Sequence, residues 1–208
     1  SNNNVLFGEK LQLNNQQGII ESLQQLSLTL GTLDNTQGKV LANSELSITV
    51  NDDIINDDGM ISSDNTINLS ANNLNNVNGV IQSLGSTALS STELNITDKL
   101  LNQNGTIASH NDTLNISANS LINEGETSLI SHSGTEQLSI NAKSIENQGD
   151  IIASNQLAFE SANIDNSGAI QSAQLELKVS DSLTNKGTIS HTGTGEQTIS
   201  LPVLNNEG

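Results

Sequence analysis

The chain has no cysteine, arginine, tryptophan or tyrosine, and among its 208 residues there are only two phenylalanines, one methionine and one proline, Pro202. Without cysteine there is no disulfide framework, no thiolate metal site and no sulfur nucleophile. With almost no aromatic rings, a core cannot draw its bulk from them, and no aromatic platform is available to stack against a sugar. The only basic residues are six lysines, Lys10, Lys39, Lys99, Lys143, Lys178 and Lys186, against 23 acidic residues, for a net charge of −17. Nucleic-acid binding depends on neutralising phosphates with Lys and Arg, so it is excluded, and an anionic membrane surface is an equally poor partner. The acidity reads as a solvated surface. No apolar run approaches the roughly 18 residues that a membrane span needs, and no signal peptide is visible.

What the chain has in excess is asparagine, leucine and isoleucine: 31, 27 and 21 residues. Ten times a hydrophobic residue and an Asn lead into a short Gly turn. The anchors are Asn15, Asn35, Asn56, Asn76, Asn102, Asn123, Asn147, Asn166, Asn185 and Asn206, separated by 20, 21, 20, 26, 21, 24, 19, 19 and 21 residues. A period near 21 residues belongs to solenoids, in which one repeat cannot bury its own apolar face and must stack on its neighbours.

Inside the period the alternation is two residues, the signature of strands. A first strand carries Ile20-x-Ser22, Val40-x-Ala42, Ile61-x-Ser63, Ile81-x-Ser83, Ile107-x-Ser109 and Ile170-x-Ser172. A second carries Leu26-x-Leu28, Leu46-x-Ile48, Ile67-x-Leu69, Leu94-x-Ile96, Leu114-x-Ile116 and Leu138-x-Ile140. A third apolar position precedes the turn, at Leu33, Leu74, Leu121, Ile145, Ile164, Leu183 and Leu204. Three short strands per repeat predict an all-β, right-handed parallel β-helix of nine to ten rungs spanning residues 1–208, with like residues stacked on like. In this register Ile116 lies between Ile96 and Ile140. The turn asparagines are expected to form a ladder, as stacked amides do elsewhere. Nine steps at ~4.8 Å give a rod of roughly 43 Å. The competing solenoid, a leucine-rich repeat, fits Leu114-x-Ile116-x-x-Asn119-x-Leu121, but Asn111 occupies the position where its preceding Leu belongs. The chain closes on Leu204-Asn205-Asn206-Glu207-Gly208, the start of another repeat, and so reads as an excerpt of a longer repeat protein.

Three groups are candidate sites. Asp52, Asp53, Asp57, Asp58 and Asp64 are the densest charge, but the Gly-Gly-x-Gly-x-Asp nonapeptide of calcium β-rolls is absent, so they read as solvated turn carboxylates. His132 and His191 occupy equivalent places three rungs apart, roughly 14 Å, too far to share a metal. They and His110 read as stacked surface residues. No cofactor and no metal site is expected. The third group comprises departures from the beat. The fourth repeat inserts Leu84-Gly85-Ser86-Thr87-Ala88-Leu89-Ser90-Ser91 between its first and second strands, and the ninth inserts Thr192-Gly193-Thr194-Gly195 at the same corner. The sixth carries extra residues around Glu126-Thr127-Ser128. Loops on a rigid scaffold are where binding concentrates.

The pattern Leu-x-Asn-x-x-Gly-x-Ile-x-Ser-x-x-x-Leu-x-Leu-x-Ala-x-x-Leu-x-Asn, carried from about Leu11 to Gly208, resembles the haemagglutinin repeats of filamentous haemagglutinin and of contact-dependent growth inhibition exoproteins. The resemblance implies a large two-partner secreted protein at the surface of a Gram-negative bacterium. Such a protein is exported by an outer-membrane transporter, and its repeat region is a filament that holds an adhesive or toxic part away from the cell. The expected role is therefore a non-enzymatic stalk. The alternative is a receptor-binding module contacting a target cell through Leu84–Thr87 and Thr192–Gly195. A remote third reading is a polysaccharide-active β-helix enzyme, which the missing Arg and aromatics disfavour.

Overall fold

The computed structural model describes residues 10–85, 90–195 and 197–208. Among these residues there is no helix. All twenty strands belong to one sheet, and every pairing is parallel. The chain winds as a solenoid of about nine turns. Rungs are numbered here by their turn asparagine, Asn15 opening rung 1 and Asn185 rung 9.

Register makes the core a set of axial columns. The first strands stack Ile20, Val40, Ile61, Ile81, Ile107, Ile130, Ile151 and Ile170. The third strands stack Leu13, Leu33, Ile54, Leu74, Leu100, Leu121, Ile145, Ile164 and Leu183. At the start of the fifth turn it is therefore Leu100 that enters the core, while Leu101 remains half-buried. Residues from Val40 to Ile170 in the first column are 0–1% exposed. Aliphatic layers thus supply the bulk that aromatic rings supply in other cores.

The second strands depart from expectation in rung 4. Leu94 pairs with Leu69 below and Ile116 above, and Ile96 stacks on Ala71. Ile116 therefore lies between Leu94 and Ile140, not between Ile96 and Ile140. The polar Thr92 takes the place that Ile67 and Leu114 hold on either side. The physical reason lies in two irregularities. From Ser63 to Ile67 the chain takes four steps, but from Ser83 to Thr92 it takes nine, and one further residue is bulged out between Ile96 and Lys99. Five extra residues plus one account for a 26-residue step where the preceding step is 20.

The turn corner is held by side chains as well as by backbone. From Asn15 to Asn206 each Asn donates its Nδ2–H to the Oδ1 of the next, nine bonds of 2.7–2.8 Å in an unbroken ladder. The same amide also donates to backbone carbonyls: Asn102, for example, reaches Gly105 O at 3.0 Å and Leu129 O at 3.2 Å. In rungs 1 to 5 the turn places a non-glycine residue in the left-handed region, at Gln17, Gln37, Asp58, Asn78 and Asn104, with φ of 51–57°. The glycine that follows is needed for close approach instead: a Cβ on Gly79 would lie 2.0 Å from Asn56 O of the rung below. From Asn147 onward the turn loses one residue. Gly149 N–H then bonds to Asn123 O on the preceding rung at 3.2 Å, whereas Gly38 N–H had bonded to Asn35 O within its own rung. The shorter turn coincides with the two 19-residue steps that follow Asn147.

Candidate functional site

Length varies at the corner between the first and second strands, opposite the Asn ladder in each rung's path. It is widest in rung 4. There Leu84 N–H still bonds to Ser63 O at 3.0 Å, and Ser90 is buried. Rung 5 bridges this mouth, with His110 N–H on Ser83 O and Asp112 N–H on Ser90 O, both at 3.1 Å. Between them Asn111 turns inward and is 1% exposed. Its Nδ2 donates past rung 4 to Asn65 O of rung 3 at 2.7 Å and to Thr92 Oγ1 at 3.0 Å, while its Oδ1 accepts from Ser90 Oγ at 2.9 Å. Ser83, Thr92 and Ser109 form a hydroxyl triangle with edges of 2.7–3.1 Å. These polar groups satisfy one another, which is what makes a buried polar residue such as Thr92 tolerable in an aliphatic column.

Of the predicted contact residues, Leu84 is 47% exposed and Gly85 takes φ +62°, where a Cβ would meet His110 O at 2.3 Å. Ser86 and Thr87 lie outside the described residues. Thr192–Gly195 follows the strand Thr188–His191 at the same corner five rungs on, tied back by Thr192 N–H to Ser172 O at 2.8 Å. Thr192 and Thr194 are exposed and the two glycines half-buried. The two excursions therefore share one edge of the rod but are not brought together.

The acidic residues are dispersed. Asp53 accepts from Asn73 Nδ2 at 2.8 Å, Asp58 sits at the left-handed turn position, and Asp64 follows the first strand of rung 3. Burial pushes the Asp57 carboxyl up, opposed by the Val77 N–H and reinforced by Asp58 and Asp34. Burial acts in the same direction on Asp34, but hydrogen bonds from the Thr36 hydroxyl and N–H and the Gln16 amide, at 2.6–3.0 Å, outweigh it and hold that carboxyl low. Among the described residues no group of three or more His, Cys, Asp or Glu is placed to hold a metal ion.

The histidines need a correction. His110 and His191 are exposed, but His132 is 1% exposed and points into the rod. It follows Ile130 by two residues on the strand Leu129–His132, so it shares that residue's inward face, in the column of Ser63, Ser83, Ser109, Ala153 and Ser172. The sequence signal was available: Ile130-x-His132 repeats the layout of Ile107-x-Ser109.

Sequence reasoning also missed an axial groove of about 880 Å³ at the bend between the second and third strands, running from Ile96 to Ser200. Its floor is the column Ile96, Ala118, Ala142, Ser161 and Val179, which is occupied by Leu30 and Val50 in rungs 1 and 2. Where Ala and Ser replace larger side chains, the surface is hollowed. Lys143, Glu160 and Lys178 line it, and Lys178 is paired with Glu176 at 2.7 Å. The groove presents hydrogen-bonding side chains at rung spacing but no nucleophile, base and orienting group in mutual contact.

Compared with known families, the chain matches the haemagglutinin repeat over residues 8–58, 54–149 and 133–199, which together run without a break from 8 to 199. No curated protein and no solved structure matches it. With most of its length matched and its rungs stacked in one register, the chain belongs to the haemagglutinin repeat family, a structural repeat of secreted, filamentous-haemagglutinin-like bacterial adhesins.

Proposed function

We propose that this segment is a stiff, non-catalytic spacer in an extracellular adhesin or contact-dependent inhibition exoprotein of a Gram-negative bacterium, holding an adhesive or toxic part away from the cell. The observation that carries this reading is the unbroken ladder from Asn15 to Asn206, beside continuous aliphatic columns. A rod in which each rung is locked to both neighbours transmits position along its axis, over roughly 43 Å here. The composition also suits export through an outer-membrane two-partner transporter. A chain without cysteine needs no oxidation to fold, and each rung needs only the preceding rung as its template. The strong negative charge opposes lateral association of the emerging edge.

A second reading, a receptor-binding module, is favoured by the axial groove and by the excursions at Leu84–Thr87 and Thr192–Gly195. Binding of the isolated fragment to target cells separates the two. A spacer leaves cells unlabelled at every concentration. Saturable labelling that is lost when both excursions are shortened would overturn the spacer reading.

A further inference from the structure

We propose that His132 is an acid-sensitive latch for the corner that rung 5 closes over Ser83 and Ser90 of the fourth rung. The geometry is specific to this rung. His132 replaces the Ser or Ala of its column and stands directly above Ser109 and below Ala153. Its Nε2 lies 2.9 Å from the main-chain oxygen of Asn111, the residue whose side chain bridges Asn65, Thr92 and Ser90. An acceptor at that position fixes the proton on Nε2 and leaves Nδ1 as a bare lone pair. That Nδ1 is buried and has no hydrogen-bond partner. The carbonyl is further enclosed by Gly134, where a Cβ would sit 1.6 Å from Asn111 O.

The neutral ring fits this site and the imidazolium does not. A second proton on Nδ1 puts a net charge inside the rod; the main-chain hydrogen bonds to Asn111 and Asp112 favour that charge, and burial opposes it more strongly. The titratable groups that act on the ring both lie on rung 5: Asp112, which favours the charged form, and His110, which opposes it. His110 is exposed, and its Nδ1 lies 2.5 Å from Ser133 Oγ. Burial is the largest influence and holds His132 below the ordinary value of 6.5. A group whose folded pKa is depressed in this way charges more readily in the opened form, so opening is favoured as pH falls below 6.5. Opening would release the Nε2 contact to Asn111 and with it the closure of the mouth between Ser83 and Ser90.

The test is amide hydrogen exchange on the intact chain at about pH 7.5 and about pH 5, corrected for intrinsic rates, for the parent and for His132→Ser, which restores the residue of its column. One linked proton changes an opening constant by at most about tenfold per pH unit. The amides of Asn111, Asp112 and Ser133 are therefore expected to lose protection at the lower pH in the parent, by no more than that factor per pH unit, and not in His132→Ser. His191→Ser, at the exposed equivalent position, should behave as the parent. Equal protection at both pH values in the parent, or the same loss in His132→Ser, would overturn the proposal.

Discussion

Asn102→Asp exchanges one NH2 group for an oxygen in the middle of the ladder and changes nothing else in shape. Asn102 is fully buried. Its Nδ2 faces three oxygens, Asn123 Oδ1 at 2.8 Å, Gly105 O at 3.0 Å and Leu129 O at 3.2 Å, while its Oδ1 accepts from Asn76 Nδ2 at 2.7 Å. The aspartate keeps the last contact and turns the other three from bonds into repulsions. Three bonds at a net ~1 kcal/mol each amount to about 3 kcal/mol. Leaving a buried charge uncompensated costs about 3–5 kcal/mol by itself. The two costs overlap, so a loss of about 5 kcal/mol at neutral pH is expected, a large part of the 5–15 kcal/mol typical of a domain. The carboxyl escapes by taking up a proton, which raises its folded-state pKa above the unfolded ~3.9. A raised pKa means that the folded state binds the proton more tightly, so the variant regains stability as pH falls towards 4. Thermal melts of Asn102→Asp and the parent at neutral pH and near pH 4.5 measure this. The exposed Asn95→Asp serves as control and is expected within about 0.5 kcal/mol of the parent. If Asn102→Asp melts with the parent at neutral pH, the ladder is not a structural element and the reasoning fails.

Ile116→Asp places a carboxylate between Leu94 and Ile140 and should cost several kcal/mol, with hydrogen exchange showing opening that begins in rungs 4 to 6, whereas Ile116→Val should cost only about 1 kcal/mol. Gly79→Ala drives a methyl to within 2.0 Å of Asn56 O and should destabilise by about 1–3 kcal/mol or more; a melt level with the parent would show that close approach does not dictate this glycine. Asp57→Asn should lie within about 0.5 kcal/mol of the parent at neutral pH. Since burial raises the Asp57 carboxyl, the parent should gain slightly as pH falls through its folded pKa towards 3.8, and the Asn variant should lack that gain; a loss seen only with calcium present would mean that the turn binds a cation.

The period, the strand alternation and the ladder were legible because each is a local rule repeated ten times, and stacking turns a repeated local rule into a column. What escaped was whatever a single rung does differently. The rung-4 register was misread because Leu94-x-Ile96 imitates the Leu-x-Ile of Leu114-x-Ile116, while the true partner of Leu114 is a threonine. Thr92 is admissible in the core only because Ser83, Ser109 and Asn111 are there to bond it, and those contacts come from its own rung and the next. His132 escaped because its side chain suggests solvent, although its parity with Ile130 puts it inside. The groove left no mark in any one repeat: Ala118, Ala142 and Ser161 are unremarkable singly and hollow the surface only when stacked.

The amide ladder explains how a repeat protein can be regular along its axis and variable at its edge. Rungs 4, 6 and 9 depart from the neighbouring lengths, yet their ladder bonds, Asn76 to Asn102, Asn123 to Asn147 and Asn185 to Asn206, remain 2.7, 2.7 and 2.8 Å. Extra residues are therefore absorbed before the chain returns to the ladder, most of them at the corner between the first and second strands, where in rung 5 the Asn111 side chain bonds to Asn65, Ser90 and Thr92. The ladder corner changes length too, by two residues more after Asn123 and one fewer from Asn147 on, but its amides bond on both sides throughout and most of its glycines meet carbonyls of the rung below. The amide ladder thus carries the axial register across turns of different length, so a change in the length of one rung need not disturb the stacking of the others.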